Sequence, residues 1–97
     1  IVSNEPGYYR EGAFGIRIEN LLVVTEAEPL PEGDQTGKLC FETLSFVPID
    51  RRLIEPEMLV PAERDWLNAY HAQCRDRIGP RLPAESRAWL DQATAQL

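Results

Sequence analysis

Two glutamates, Glu5 and Glu19, are the residues of this sequence best suited to chemistry. Glu5 stands directly before Pro6-Gly7, where a restricted backbone holds a side chain stiffly. Glu19 follows Arg17 at a spacing of two in Gly15-Ile16-Arg17-Ile18-Glu19, so on a strand both project from one face. Hard divalent cations such as Mn²⁺ take carboxylate oxygens, and ligands carried on adjacent strands have a fixed geometry. Two carboxylates turned to one cavity repel each other unless a cation or a proton lies between them. Spacing alone leaves a second reading open, because a glutamate before Pro-Gly is commonly a solvated turn residue and one beside an arginine commonly an ion pair.

The elements that must position these residues fit one small domain at most. The chain has 97 residues, 43% of them hydrophobic and 27% charged, a composition that folds rather than stays disordered. No apolar run approaches the roughly 20 residues that span a bilayer, and the first residues lack the pattern of a secretory signal. The net charge of −6 is uneven: residues 1–60 hold 11 acids against 5 bases, and residues 61–97 hold 5 of each. An acidic front half argues against nucleic acid as a partner and suits a cation site, although solubility is its usual cause. Cys40 and Cys74 lack CxxC spacing and fall on apolar patterns, so both are expected to be reduced core residues of a cytosolic protein.

Three β-like stretches are predicted first. Ile1–Ser3 leads into a turn marked by Pro6-Gly7, and the chain opens without a methionine in the middle of this strand pattern, which predicts a processed or truncated chain. Gly15–Thr25 is predicted as one strand: Ile16 and Ile18 alternate with Arg17 and Glu19, and the continuous apolar run after them suits a strand covered on both faces. Residues 26–38, with Pro29, Pro31, Gly33, Asp34 and Gly37, predict an exposed acidic loop. Leu39–Val47 is predicted to return as a strand, forming an antiparallel hairpin with the one before it.

Beyond Pro48 a proline-punctuated connector with one short helical turn leads to a helix over 62–78. Leu67, Tyr70, Cys74 and Ile78 form its apolar stripe, and Gly79-Pro80 stops it. A second helix from Ala84 carries Trp89, Ala93 and Leu97 on one face. The predicted class is therefore α+β. Two or three strands cannot cover Leu21–Val24 on both faces, so that segment needs partners from elsewhere.

Ser3-Asn4-Glu5-Pro6-Gly7-Tyr8-Tyr9, followed by Gly12-Ala13-Phe14-Gly15-Ile16-Arg17-Ile18-Glu19-Asn20, closely resembles the last two metal-ligand motifs of the Xaa-Pro aminopeptidases, or aminopeptidases P. These are pita-bread metallopeptidases, like prolidase and methionine aminopeptidase. Leu39–Pro48 looks like the family's next strand, and Asp65–Asp76 resembles the C-terminal extension of its three-domain members. The resemblance implies antiparallel strands from the C-terminal part of a pita-bread catalytic domain over residues 1–48 and a two-helix extension over residues 49–97. In that family two aspartates, one histidine and two glutamates hold two metal ions, usually Mn²⁺. Glu5 would then be a terminal ligand that also helps orient or deprotonate the nucleophilic water, and Glu19 would bridge both ions. Arg17 and Tyr9 match positions that hydrogen-bond around the ligands, and outer partners of this kind hold ligands in place.

The departure from the family is large, because its two aspartates, its ligand histidine and its substrate-binding histidines have no counterpart here. His71 is the only histidine and falls on the first helix, where a structural or surface role is expected. The resemblance implies a cytoplasmic enzyme, expected to be a homodimer, that removes the residue preceding proline from peptides with proline second, with no nucleic-acid or membrane partner. The fragment itself would be inactive and would depend on the remainder of the catalytic domain. The other readings are a prolidase-like or non-peptidase pita-bread homologue and a dimerisation or interaction module.

Overall fold

The computed structural model of the chain describes residues 1–33 and 36–97 and falls into two compact units, Ile1–Ser45 and Phe46–Leu97. Asp34, part of the predicted acidic loop, lies outside the described residues. The class is α+β, with antiparallel strands in the first unit and two α-helices in the second.

Five strands are described in the first unit: β1 (Val2–Asn4), β2 (Gly7–Arg10), β3 (Phe14–Arg17), β4 (Asn20–Glu26) and β5 (Leu39–Thr43). β1, β4 and β5 make one antiparallel sheet in the order β1-β4-β5, and β2 and β3 make a hairpin. The predicted pairing of the long strand with the one after the acidic loop is present as β4 with β5, from Leu22↔Thr43 to Glu26↔Leu39.

Two expectations change here. Pro6-Gly7 is not a reversal, since Gly7 opens β2 and pairs with Arg17. The chain reverses instead at Glu11–Ala13, where Gly12 takes a left-handed φ of 69° and Ala13 N–H donates to Arg10 O at 3.0 Å. The predicted strand Gly15–Thr25 is divided at Ile18-Glu19 into β3 and β4. Its physical cause is Pro6: Ile18 N–H donates to Pro6 O at 3.1 Å, but proline has no N–H to return the bond, so the ladder lapses for two residues.

The apolar run of β4 is only partly covered by its own unit. Leu22 and Val23 are half-buried, whereas Leu21 and Val24 stay 45% and 42% exposed. Among the described residues of this unit the buried one is polar. Asn20 donates its side-chain amide to Ser45 O at 3.2 Å, while the Ser45 hydroxyl accepts from Leu21 N–H at 2.9 Å. Cys40, expected in the core, is exposed on β5 with its sulfur 3.2 Å from the Thr25 hydroxyl. Cys74 is buried as expected, and burial pushes its thiol pKa up.

The second unit holds α1 (Pro61–Ile78) and α2 (Ala84–Ala93), with short 3₁₀ turns at Arg51–Leu53, Pro56–Met58 and Gly79–Arg81. Pro61 occupies the first helical position of α1, and the Glu63 carboxylate reaches back to accept from Val60 N–H at 3.0 Å. Leu67, Tyr70 and Cys74 of the predicted stripe are buried, Ile78 is half-buried, and His71 joins them with no exposure at all.

The predicted strand Leu39–Val47 stops at Thr43: the Ser45 hydroxyl takes Leu21 N–H, and farther along Tyr70 and His71 take the backbone of Val47 and Ile49. The Tyr70 hydroxyl donates to Val47 O at 2.9 Å and accepts from Val47 N–H at 3.1 Å, and Ile49 N–H donates to His71 Nε2 at 3.0 Å. Helix side chains thus take the backbone groups that would extend a ladder, and Pro48 offers no donor. Phe46 stacks on Tyr70 at 6.1 Å with the Arg77 guanidinium 4.4 Å from its ring centre, and Trp66 stacks on Tyr70 at 5.5 Å.

In α2 the buried face carries Leu90 and Thr94 rather than Trp89, which is 59% exposed. Leu90 packs beside Gly79, where a β-carbon would stand 3.7 Å from its Cδ2, an ordinary contact. The carbonyls at the end of α2 and just beyond it are capped by arginines: Arg51 donates to Gln92 O and Gln96 O, and Arg75 to Thr94 O. Among the described residues no helix is long and apolar enough to cross a membrane.

Because Nε2 of His71 accepts a hydrogen bond, it must be the unprotonated nitrogen, and a second proton there would oppose the Ile49 donor. Burial, followed by the charges of Arg51 and Arg75, lowers the His71 pKa, and the Ile49 N–H donated to Nε2 also favours the neutral ring. An unfolded histidine takes its proton near pH ~6.5. Just below that pH the unfolded chain binds more protons than the folded one, so stability falls as pH drops. Asp50, held at about 2 chiefly by its hydrogen bonds with Arg52, contributes only at far lower pH. Thermal melting of the chain should therefore show Tm falling between about pH 7.5 and 5.5. In His71→Gln, whose amide still accepts from Ile49, that slope should flatten; an unchanged slope would assign the effect elsewhere.

Candidate metal centre

One register runs through both halves of the divided ribbon. Val2↔Leu22, Ser3↔Leu21 and Asn4↔Asn20 pair β1 with β4, and Gly7↔Arg17 to Arg10↔Phe14 pair β2 with β3. No residue is gained or lost at the break, so Glu5 stands opposite Glu19 and Pro6 opposite Ile18. The Ile18-to-Pro6 hydrogen bond marks that pair as a bonded one, which makes Glu5–Glu19 the non-bonded kind, whose side chains come closest. The sequence suggested two carboxylates near each other, and the structure makes them cross-strand partners.

Alternation then fixes what shares their face: Ser3, Glu5, Gly7 and Tyr9 from one segment of the ribbon, and Gly15, Arg17 and Glu19 from the segment paired with it. Arg17 answers both carboxylates, with NH2 3.1 Å from Glu19 Oε2 and NH1 3.5 Å from Glu5 Oε2. Its guanidinium pKa is raised, first by the hydrogen bond with Tyr9 and then by the charge of Glu19, with Glu5 adding less. The remaining oxygen of Glu5, Oε1, accepts the Ser3 hydroxyl at 2.5 Å. All five polar residues, Ser3, Glu5, Tyr9, Arg17 and Glu19, stay substantially exposed, so this is an open face and not a closed pocket.

Two glycines set the position of Tyr9. A β-carbon on Gly7 would lie 2.8 Å from the Tyr9 hydroxyl oxygen, and one on Gly15 2.8 Å from its Cδ1. The ring therefore lies flat along the hairpin backbone over both glycines, which brings its hydroxyl to Arg17 beside Gly7. On the opposite face Tyr8 and Phe14 pack with ring centres 6.0 Å apart.

All four predicted site residues, Glu5, Glu19, Arg17 and Tyr9, thus gather on one face. Sequence reasoning missed Ser3, whose spacing of two from Glu5 was the available signal, and Gly7 and Gly15, glycines inside strand patterns that mark a close approach. His71 lies in the helical unit, with its Nε2 committed to Ile49. Among the described residues no three His, Cys, Asp or Glu side chains gather to hold a metal ion. The donors present fit hard cations in type, two carboxylates whose facing charges call for a cation, but supply only part of a coordination shell.

The model of the C-terminal region of peptidase M24 matches residues 37–97, and the chain belongs to that family. Its similarities to known proteins extend beyond that region, over nearly the whole chain. The chain is 45% identical to aminopeptidase P1 of Lotus japonicus over 96% of its own length, and 44% identical to Xaa-Pro aminopeptidase 2 of Mus musculus over 98%. It also matches the crystal structure of an X-prolyl aminopeptidase from Caenorhabditis elegans, described as a cytosolic enzyme with a dinuclear active site. That match has a TM-score of 0.87, 31% identity and coverage of 98% of this chain. The chain spans 14% of the length of each of the two sequence relatives and 16% of the solved structure.

A methyl group at Gly15 would strike the Tyr9 ring. Gly15→Ala should cost about 1–3 kcal/mol of stability, the usual range for overpacking. In a Tyr9→Ala background the same substitution should cost close to nothing, as a double-mutant cycle by denaturant unfolding would register. Equal costs in both backgrounds would exclude the contact as the cause.

Proposed function

We propose that this chain is the C-terminal portion of a dinuclear-metal aminopeptidase that cleaves the bond between an N-terminal residue and a following proline. Residues 1–48 would supply the last strands of its catalytic domain and residues 49–97 its helical extension. The observation that carries the reading is the cross-strand pair Glu5–Glu19, joined by Arg17, in a chain whose relatives are named aminopeptidase P and Xaa-Pro aminopeptidase. A cytoplasmic setting rests on the solved relative, which is described as cytosolic.

In this reading Glu19 would bridge two divalent cations, Mn²⁺ being well matched to hard oxygen donors, and Glu5 would be a terminal ligand of one. Such ions, when bound, acidify a water and polarise the scissile carbonyl. Glu5 would also orient that water or take its proton. Arg17 holds Glu19 in place, and Tyr9 holds Arg17 through its hydroxyl. The other ligands would come from the remainder of the catalytic domain, which would also cover Leu21 and Val24. Two carboxylates alone do not organise two cations, so the isolated chain is expected to be inactive.

In the full-length protein Glu19→Gln should reduce bound metal below two ions per chain, counted by elemental analysis. It should lower kcat/KM on a tripeptide with proline second by more than about 100-fold, beyond the effect of losing an outer partner. Turnover of Xaa-Pro dipeptides in place of such tripeptides would point to a prolidase-like enzyme. Full activity in Glu19→Gln would remove the metal reading.

A further inference from the structure

We propose that Ser3 is a positioning residue for this metal centre: its hydroxyl commits one oxygen of Glu5 and leaves the other open as the ligand atom. The inference rests on the metal reading of Glu5 and Glu19 given above. Ser3 is fixed by the ladder, in the middle of β1 and paired with Leu21, while Glu5 lies just past the last β1 pair. Apart from Ser3, the Glu5 carboxylate meets Arg17, in the longer ion pair of Oε2 at 3.5 Å. The Ser3 hydroxyl holds Oε1 at 2.5 Å, within the range of a hydroxyl donated to an ionised carboxylate.

The two oxygens of Glu5 are thereby distinguished. Oε1 is taken up by Ser3, and Oε2 faces the Arg17 guanidinium, whose other end pairs with Glu19. A free carboxylate can meet a cation through one oxygen or both. With Oε1 held, the one-oxygen mode is favoured and the carboxylate plane is set before a cation arrives. With only Oε2 open to the cation, Glu5 would serve as a one-oxygen terminal ligand beside Glu19. Threonine offers the same hydroxyl from the same backbone position, whereas alanine offers none.

The test is Mn²⁺ titration of the full-length protein, following free Mn²⁺ by electron paramagnetic resonance alongside thermal melting. Ser3→Ala should weaken Mn²⁺ binding by roughly 10-fold or more, as loss of an outer partner does, with Tm little changed at this exposed site. Ser3→Thr should restore the affinity to within about threefold of the parent, a recovery that loss of packing alone would not produce. If Ser3→Ala binds like the parent while Glu5→Gln loses metal, Ser3 has no such role and the metal reading stands. A Ser3→Thr protein as weak as Ser3→Ala would also overturn the role. If Glu5→Gln keeps full affinity as well, the metal reading itself fails and this inference with it.

Discussion

The candidate site depends on a single antiparallel register carried across a proline. From Val2↔Leu22 to Arg10↔Phe14 the pairing keeps step although the ladder lapses at Pro6. Had the break inserted or removed one residue, every side chain beyond it would have changed face. Because it did not, Ser3, Glu5, Tyr9, Arg17 and Glu19 project to one side. The lapse falls where the two carboxylates stand opposite each other. Like charges opposite each other are unfavourable in a sheet, and here a guanidinium already offsets them. A face built this way has a standing demand for positive charge.

Around that pair, the hairpin works as a mount. Gly7 and Gly15 give up side chains so that the Tyr9 ring can lie against the backbone. The ring carries its hydroxyl to Arg17, and Arg17 spans to Glu19 and, at longer range, Glu5. Ser3 restrains Glu5 from the other side. Each contact is weak on an open surface, where water screens charge. Their combined effect is geometric, because Ser3, Tyr9 and Arg17 each meet a partner beside the carboxylates.

The helical unit solves a different problem with the same economy of partners. Its connector from Phe46 to Ile49 makes no ladder, yet Tyr70 and His71 satisfy its backbone from within α1. Arginines close the end of α2, and Leu90 packs beside Gly79. The core is small, with Leu67, Tyr70, Cys74 and Leu90 buried beside His71 and Thr94. Polar side chains inside so small a core earn their place by satisfying backbone groups that would otherwise be orphaned.

The sequence by itself determined the α+β class, the approximate limits of both helices, the β4–β5 pairing and the identity of Glu5, Glu19, Arg17 and Tyr9 as the residues of interest. Period and punctuation carry that information locally: alternation for strands, a three-to-four spacing for α1, and proline and glycine at the ends. Sequence reading mistook Pro6-Gly7 for a reversal, ran β3 and β4 together, buried Cys40 and chose Trp89 over Leu90. Each of these depends on what lies across from a residue rather than beside it in the chain. Only the tertiary structure could decide that Glu5 faces Glu19, that Tyr9 rests on two glycines, or that His71 holds Ile49. Register and close approach join residues far apart in sequence, and no local pattern records which partner a backbone hydrogen bond will choose.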